Sequence, residues 1–378
     1  MEGAIFRRVG LIFVLGFGAP LAYADPSPRL IETSPSHRQW LNNSEIRDLS
    51  LAQHAQGHCG GFMDVTDFSS FEDERLTQVM PPAILQILGE LTPTHPTVVE
   101  PLLKLLSVSD FMENVKKLSS YKNRFYKSQT GVDSAHWIAD RFTAMAGGRG
   151  DVTVELISHS FMQPSVLVTI QGKGLYKDEH VILGAHEDSV NWSSWSPSAA
   201  DTAPGADDDA SGVATLLETF RVLMLSDYVP DRSLVFIAYA GEELGLLGSQ
   251  DVAKKFKKDG KKVAGVLQMD MTLFPGETKA ITMISDNVNA ALTLFTKKLI
   301  DTYVKVPWQD SSCGYACSDH ASWDKQGYAT AFPFEAPMGS DNPNIHTAQD
   351  TIESGLDQVF GLHFVKLAVA FAVELASE

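Results

Sequence analysis

Four short apolar runs constrain this chain more than any other feature of its sequence. They are HVILGAHEDS (180–189), SLVFIAYAGEE (233–243), VAGVLQMDM (263–271) and YATAFPFEA (328–336). Each is rich in β-branched or aromatic residues and does not alternate with polar ones. That is how strands buried on both faces read, and such strands belong to parallel sheets covered by helices. Helix-spaced stretches separate them, ASGVATLLETFRVLML (210–225) and SQDVAKKFKK (249–258). Two more helical stretches, DFMENVKKLSSYKNRFY (110–126) and DSAHWIADRFTAMA (133–146), and two alternating strands, VTVELISHS (152–160) and SVLVTIQGKG (165–174), lie upstream. The expectation is an α/β fold with a largely parallel, mixed central sheet flanked by helices.

The polar residues fall at one edge of that sheet. His186 and Asp188 follow one strand, Glu242 and Glu243 a second, and Asp270 a third. In open α/β sheets the carboxyl edge is where ligands bind. Singly, each has a bland explanation: a strand-end Asp as a cap, a core His, two Glu at a helix start. Together they do not. A carboxylate is costly to bury unless it is paired or metal-bound, and His346 in IHTAQDT adds a second imidazole. A His, Asp, Glu, Asp, His set suits zinc, and five ligands suit two ions bridged by a carboxylate better than one. This also accounts for GADDDASG (205–212): one aspartate of the three can bridge two cations while its neighbours orient ligands or cap a helix near Ala210. The spacing of a calcium-binding EF-hand loop is absent.

Composition narrows the partners. A net charge of -17 disfavours nucleic acid. The first 24 residues read as a secretory signal peptide: Arg7 and Arg8, a short apolar run, then Ala22-Tyr23-Ala24 before Asp25. A membrane anchor is the alternative, but the run is short and broken by Gly and Pro. No later stretch reads as long and apolar enough to cross a membrane. Export implies an oxidising compartment, secreted or periplasmic, where Cys313 and Cys317 can close a disulfide. Half a zinc site is the alternative, with only His320 nearby, and the disulfide is favoured. Cys59 is left over. Residues 25–100 are polar and interrupted and end in LTPTHPTVVEP, which resembles a linker. They are expected to be a pro-segment and linker, preceding a catalytic domain over 101–378.

The motifs GAHEDS, PGADDDASG, AGEELGLLGSQD, LQMDMT, CGYACSDHASW and NIHTAQDT, in this order, resemble those of the bacterial leucyl aminopeptidase family, secreted two-zinc exopeptidases. The resemblance runs from about residue 105 to the C-terminus and implies a zinc-exopeptidase (phosphorylase/hydrolase-like) fold. It implies two Zn2+ per chain, held by His186, Asp208, Glu243, Asp270 and His346, with Asp208 bridging. Glu242 would be the general base, and Asp188 would orient His186. Cys313 and Cys317 would form a disulfide around Tyr315. Met271, Ile284, Tyr315, Phe332, Phe334 and Ile345 fall at or near positions of an apolar substrate pocket. The implied activity is release of large apolar, leucine-like N-terminal residues from peptides with a free N-terminus. The expected partners are such peptides and a processing protease, with no nucleic acid, no membrane after signal cleavage, and a monomeric chain. The rival readings are a carboxypeptidase-type zinc exopeptidase and a catalytically inactive binding domain of the same fold.

Overall fold

Alternation of apolar side chains along the strands splits the interior into two layers. In the computed structural model, which describes residues 27–34, 36–54, 61–66, 88–193 and 197–377, the main sheet has six strands. In chain order these are β4 (Val152–Ile157), β5 (Ser165–Ile170), β6 (Glu179–His186), β7 (Ser233–Tyr239), β8 (Lys262–Gln268) and β11 (Thr330–Ala331). Their spatial order is β11-β8-β6-β7-β5-β4. The pairs β6/β7, β6/β8 and β8/β11 are parallel, whereas β5/β7 and β4/β5 are antiparallel. The sheet is therefore mixed, with its parallel part at the runs that read as buried on both faces.

Val181, Leu183 and Ala185 of β6 face one layer with Leu234, Phe236 and Ala238 of β7. Against them pack α3 (Val108–Ser119), α4 (Gln129–Ala146), α5 (Ala210–Leu225) and α9 (Gln358–Ala376). Ile182, Val235 and Ile237 face the other layer, where α6 (Leu247–Lys258) and α8 (His320–Lys325) supply Val252, Phe256 and Trp323. Side-chain oxygens start the helices: Ser128 accepts from Gly131 N, Asp209 from Gly212 N, and Asp357 from Val359 N and Phe360 N.

Several expectations need correction. The run 328–336 is not one strand. Its first part is β11, while Pro333–Phe334 forms β12 and pairs with β9 (Ile281–Ile284) in a second sheet completed by β10 (Trp308–Ser311). Proline has no N–H to donate, so the main ladder cannot continue through it. The helix expected over 110–126 ends at Ser119, and Arg124 beyond it is wholly buried. The stretch read as a linker becomes helical at Pro96: α2 (Pro96–Leu103) begins with proline at its first turn, where no N–H is needed, and buries Val99 and Leu102 in the main core. Just before it, the N–H groups of Thr94 and His95 both donate to the Glu374 carboxylate at 2.9 Å. Finally, α9 is long and apolar enough to cross a membrane by length and composition, contrary to the sequence reading. Most of it is enclosed by the protein, as a core helix should be.

Upstream, β1 (Arg29–Ser34), β2 (His37–Leu41) and β3 (Met63–Asp64) form a small antiparallel sheet, accompanied by α1 (Asn43–His54). The signal peptide expected over 1–24 and Cys59 lie outside the described residues.

Candidate metal centre

Strand ends and one helix start deliver the candidate ligands. His186 is the last residue of β6, and Asp208 and Asp209 immediately precede α5. The three aspartates divide the work. Asp209 caps α5 through Gly212 N and also accepts from His186 N (3.0 Å) and Met271 N (3.2 Å), tying two strand ends to the helix. Asp207 accepts from Leu273 N and Asn342 Nδ2, both at 3.0 Å. Asp208 is left pointing at the imidazoles.

Its two oxygens face different partners. Oδ1 lies 2.9 Å from His186 Nε2, which is 3.5 Å from Asp270 Oδ1. Oδ2 lies 2.8 Å from His346 Nε2, which is 2.8 Å from Glu243 Oε2. The structure thus forms two buried groups that could each hold an ion, His186–Asp208–Asp270 and Asp208–Glu243–His346, and they share Asp208. A tetrahedral zinc ion with bonds near 2.0–2.2 Å would set neighbouring ligand atoms about 3.3–3.6 Å apart, which matches the 3.5 Å pair and is somewhat wider than the 2.8–2.9 Å pairs. Apart from the imidazoles, Asp208 Oδ2, Asp270 Oδ1 and both Glu243 oxygens are buried with no hydrogen-bond donor facing them. Buried carboxylate oxygens left in this state call for a cation. The residues therefore fit the metal.

The electrostatics say the same. Burial alone pulls both imidazoles down, yet Asp270 and Glu242 around His186, and Glu243 and Asp208 around His346, hold them well above the ordinary value. Burial pushes Glu243 up to about 7 and Asp207 to about 6. Glu242 is also raised well above its ordinary range by burial. Asp208 is held below the usual range, against its burial, by His346 and His186. The site is arranged around positive charge.

Asp188 serves two elements. Its Oδ1 lies 3.4 Å from His186 Nδ1 and accepts from Glu242 N (2.9 Å), and its Oδ2 accepts from Glu243 N (3.3 Å). Both glutamates sit on a short helical turn, Glu242–Leu244, after Gly241 in a left-handed conformation. All six expected pocket residues, Met271, Ile284, Tyr315, Phe332, Phe334 and Ile345, meet in one buried apolar cluster with Cys313 and Cys317. Those two cysteines are disulfide-bonded.

Other residues at the site escaped the sequence reading. Ser318 donates to Asp270 Oδ2 at 2.6 Å. Asp350 accepts from the N–H groups of Asp207 and Asp208. Both lie inside motifs quoted above, four positions or fewer from a named residue, so proximity could have flagged them. Arg124, buried, donates to the carbonyls of Leu118, Glu187, Pro204 and Gly205 and fixes the loop before the aspartates. Nothing in YKNRFY announces that role.

The comparisons agree with this geometry. Residues 165–371 match the profile described as Peptidase family M28. The chain is 40% identical to a probable leucine aminopeptidase of Arthroderma otae, covering 94% of this chain and 96% of that one. It is 37% identical to leucine aminopeptidase 1 of Penicillium rubens, covering 95% and 92%. The likeness thus reaches fungal proteins as well as bacterial ones, and it extends through most of the segment before residue 101, where the motif resemblance stopped. Among solved structures, the Legionella pneumophila LapA aminopeptidase superposes with a TM-score of 0.78 at 30% identity, over 93% of this chain and 94% of that one. Two imidazole–carboxylate groups sharing one aspartate, on this fold and with these relatives, lead to one conclusion: the chain belongs to peptidase family M28.

Proposed function

We propose that this protein is a secreted leucine aminopeptidase-type enzyme that works with two zinc ions and uses Glu242 as its general base. The observation that carries the reading is the sharing of Asp208 between two buried ligand groups, with Glu242 beside them and not a member of either. Bound zinc would acidify the attacking water, polarise the scissile carbonyl and offset the crowded carboxylates. His186, Asp270 and Asp208 would hold one ion, and His346, Glu243 and Asp208 the other. Glu242 takes the proton from the water and returns it to the leaving amine. Asp188 keeps the Glu242–Leu244 turn and the His186 ring in register. The cluster around Met271, Tyr315 and Phe332 receives the side chain of the N-terminal residue, while the nearby carboxylates suit a free α-amino group.

Residues 25 to about 90 are proposed as a pro-segment that masks the cleft until a protease removes it. Phe62 and Ile31 pack with Val190, Trp192 and Leu244, and Trp192 N donates to the His346 carbonyl, so the small N-terminal sheet sits at the rim of the site.

Glu242→Ala tests the central assignment. The expected outcome is a fall in kcat of at least about 10³-fold with both zinc ions retained, read by turnover of leucyl anilide alongside metal analysis. One lost zinc with surviving turnover would mean that the base and ligand roles are exchanged. Acetylated leucyl anilide should resist cleavage, because it lacks the free amine; rapid cleavage would make the enzyme an endopeptidase.

A further inference from the structure

The backbone that leads into Glu242 is held by groups that the proposed chemistry does not use. Strand β7 ends at Tyr239, and its ladder with β5 ends at the Val166–Ala238 pair. Ala240 lies beyond that ladder and is fully buried. Its N–H donates to Ser165 Oγ at 3.0 Å. Ser165 Oγ in turn lies 2.7 Å from His159 Nε2, and His159 Nδ1 lies 2.8 Å from Asp251 Oδ2.

The chemistry of each atom sets the direction of this chain. An ionised carboxylate only accepts, so His159 Nδ1 carries a proton and donates it to Asp251. In a neutral ring with its proton on Nδ1, Nε2 can only accept, so the hydroxyl proton of Ser165 goes to Nε2 while Ser165 Oγ accepts from Ala240 N–H. Every group then has one role, and the ring is locked in one tautomer. The ring is also clamped: it stacks on Phe161 with centroids 4.9 Å apart and planes 15° apart. Phe161 closes over Gly241, where an added Cβ would come within 3.2 Å of its ring, and Gly241 has φ +69°. The carbonyls of Ala240 and Gly241 accept from Gly248 N and Leu247 N at the start of α6, the helix that carries Asp251. Both residues preceding Glu242 are thus held by the 159–165 loop and α6, while Asp188 holds Glu242 itself.

The Ser–His–Asp order is that of a hydrolytic nucleophile, but the surroundings are not. Ser165 is fully buried, and its oxygen is occupied by a backbone N–H. No substrate can reach it. We propose that Asp251, His159 and Ser165 are a positioning triad that fixes the backbone under Glu242, so that turnover depends on it and substrate affinity does not. The inference rests on Glu242 being the base. Partners that orient reacting groups typically change rates by 10–100-fold when removed, and a misplacement of about 1 Å can cost as much.

The test uses the purified active enzyme, leucyl anilide kinetics and zinc analysis. Asp251 is partly exposed, so its substitution should spare the core. Asp251→Leu is expected to lower kcat about tenfold with KM within twofold and zinc content unchanged. Asp251→Asn, whose amide oxygen can still accept from Nδ1, should recover most of that loss. Ser165→Ala is expected to lose as much kcat as Asp251→Leu or more, again without a rise in KM. The idea is overturned if Asp251→Asn and Asp251→Leu fall equally, if the losses appear in KM or zinc content, or if all three variants keep kcat within twofold. Covalent labelling of Ser165 by a fluorophosphonate would overturn it too. Glu242→Ala run in parallel separates the two readings: an active Glu242→Ala enzyme sinks the base assignment, whereas an inactive one beside unimpaired triad variants sinks only the triad.

Discussion

His320 shows how burying a single side chain shapes the response to acid. Its ring is fully enclosed beside Phe332, with Nε2 3.1 Å from the Asp286 carbonyl, and burial lowers its pKa to about 4. The unfolded chain takes up the proton near pH 6.5, before the folded one does. Stability from this group is therefore complete above about pH 6.5 and lost as pH falls towards 4, by about 3 kcal/mol in all. Denaturant unfolding of His320→Gln, compared with the parent at pH 7 and pH 4.5, should show the shallower loss in the variant; parallel losses would refute the assignment. The pocket residues carry a second expectation. Their apolar cluster, next to so many carboxylates, should favour leucyl over aspartyl anilide by at least about 10²-fold in kcat/KM, and a ratio near one would exclude the pocket. At this scale the sequence was most legible where chemistry is concentrated: His186, Glu243 and Asp270 stood out because ligand types recur after buried strands, whereas Asp208 was singled out of its run of three only by the family resemblance. Arg124 and Ser165 did not stand out, because their roles depend on backbone groups from distant segments, which residue type does not encode.

The same contrast holds for elements. Strands β6, β7 and β8 were readable because burial on both faces leaves uninterrupted apolar runs. The β11–β12 split was not, since a two-residue change of sheet leaves only Pro333 as a mark. The helix at Pro96–Leu103 was hidden by its three nearby prolines, although proline is at home in a first helical turn. This element bears on maturation. Deletion of residues up to 87 should remove the N-terminal sheet, leave the main core intact and raise activity. Deletion through Leu103 should also remove buried Val99 and Leu102 and the two backbone donors to Glu374. That loss is expected to cost about 4 kcal/mol or more, read as a lower midpoint in urea. Equal stability of the two truncations would show that α2 is an ornament of the fold, and unchanged turnover in the shorter deletion would refute masking.

For the whole molecule, the metal centre is a large local excess of negative charge in a protein already at -17. Zinc that binds the folded chain and not the unfolded one stabilises it by about 4 kcal/mol at a thousand times its dissociation constant, or about 7 °C for a domain of this size. Chelation should lower the melting temperature by that order, and zinc should restore it; an indifferent melting curve would mean that the carboxylates are neutralised from within. The placement of α9 has a consequence for folding. This helix covers the same face of β6 and β7 as α5, and Glu374 on it gathers in Thr94 and His95, 280 and 279 positions earlier. Until residues 358–376 are in place, α3, α4 and α5 cover that face of the sheet only in part. Sealing of the core therefore depends on contacts between segments 280 positions apart, and closing so long a loop before the contact forms favours slow folding.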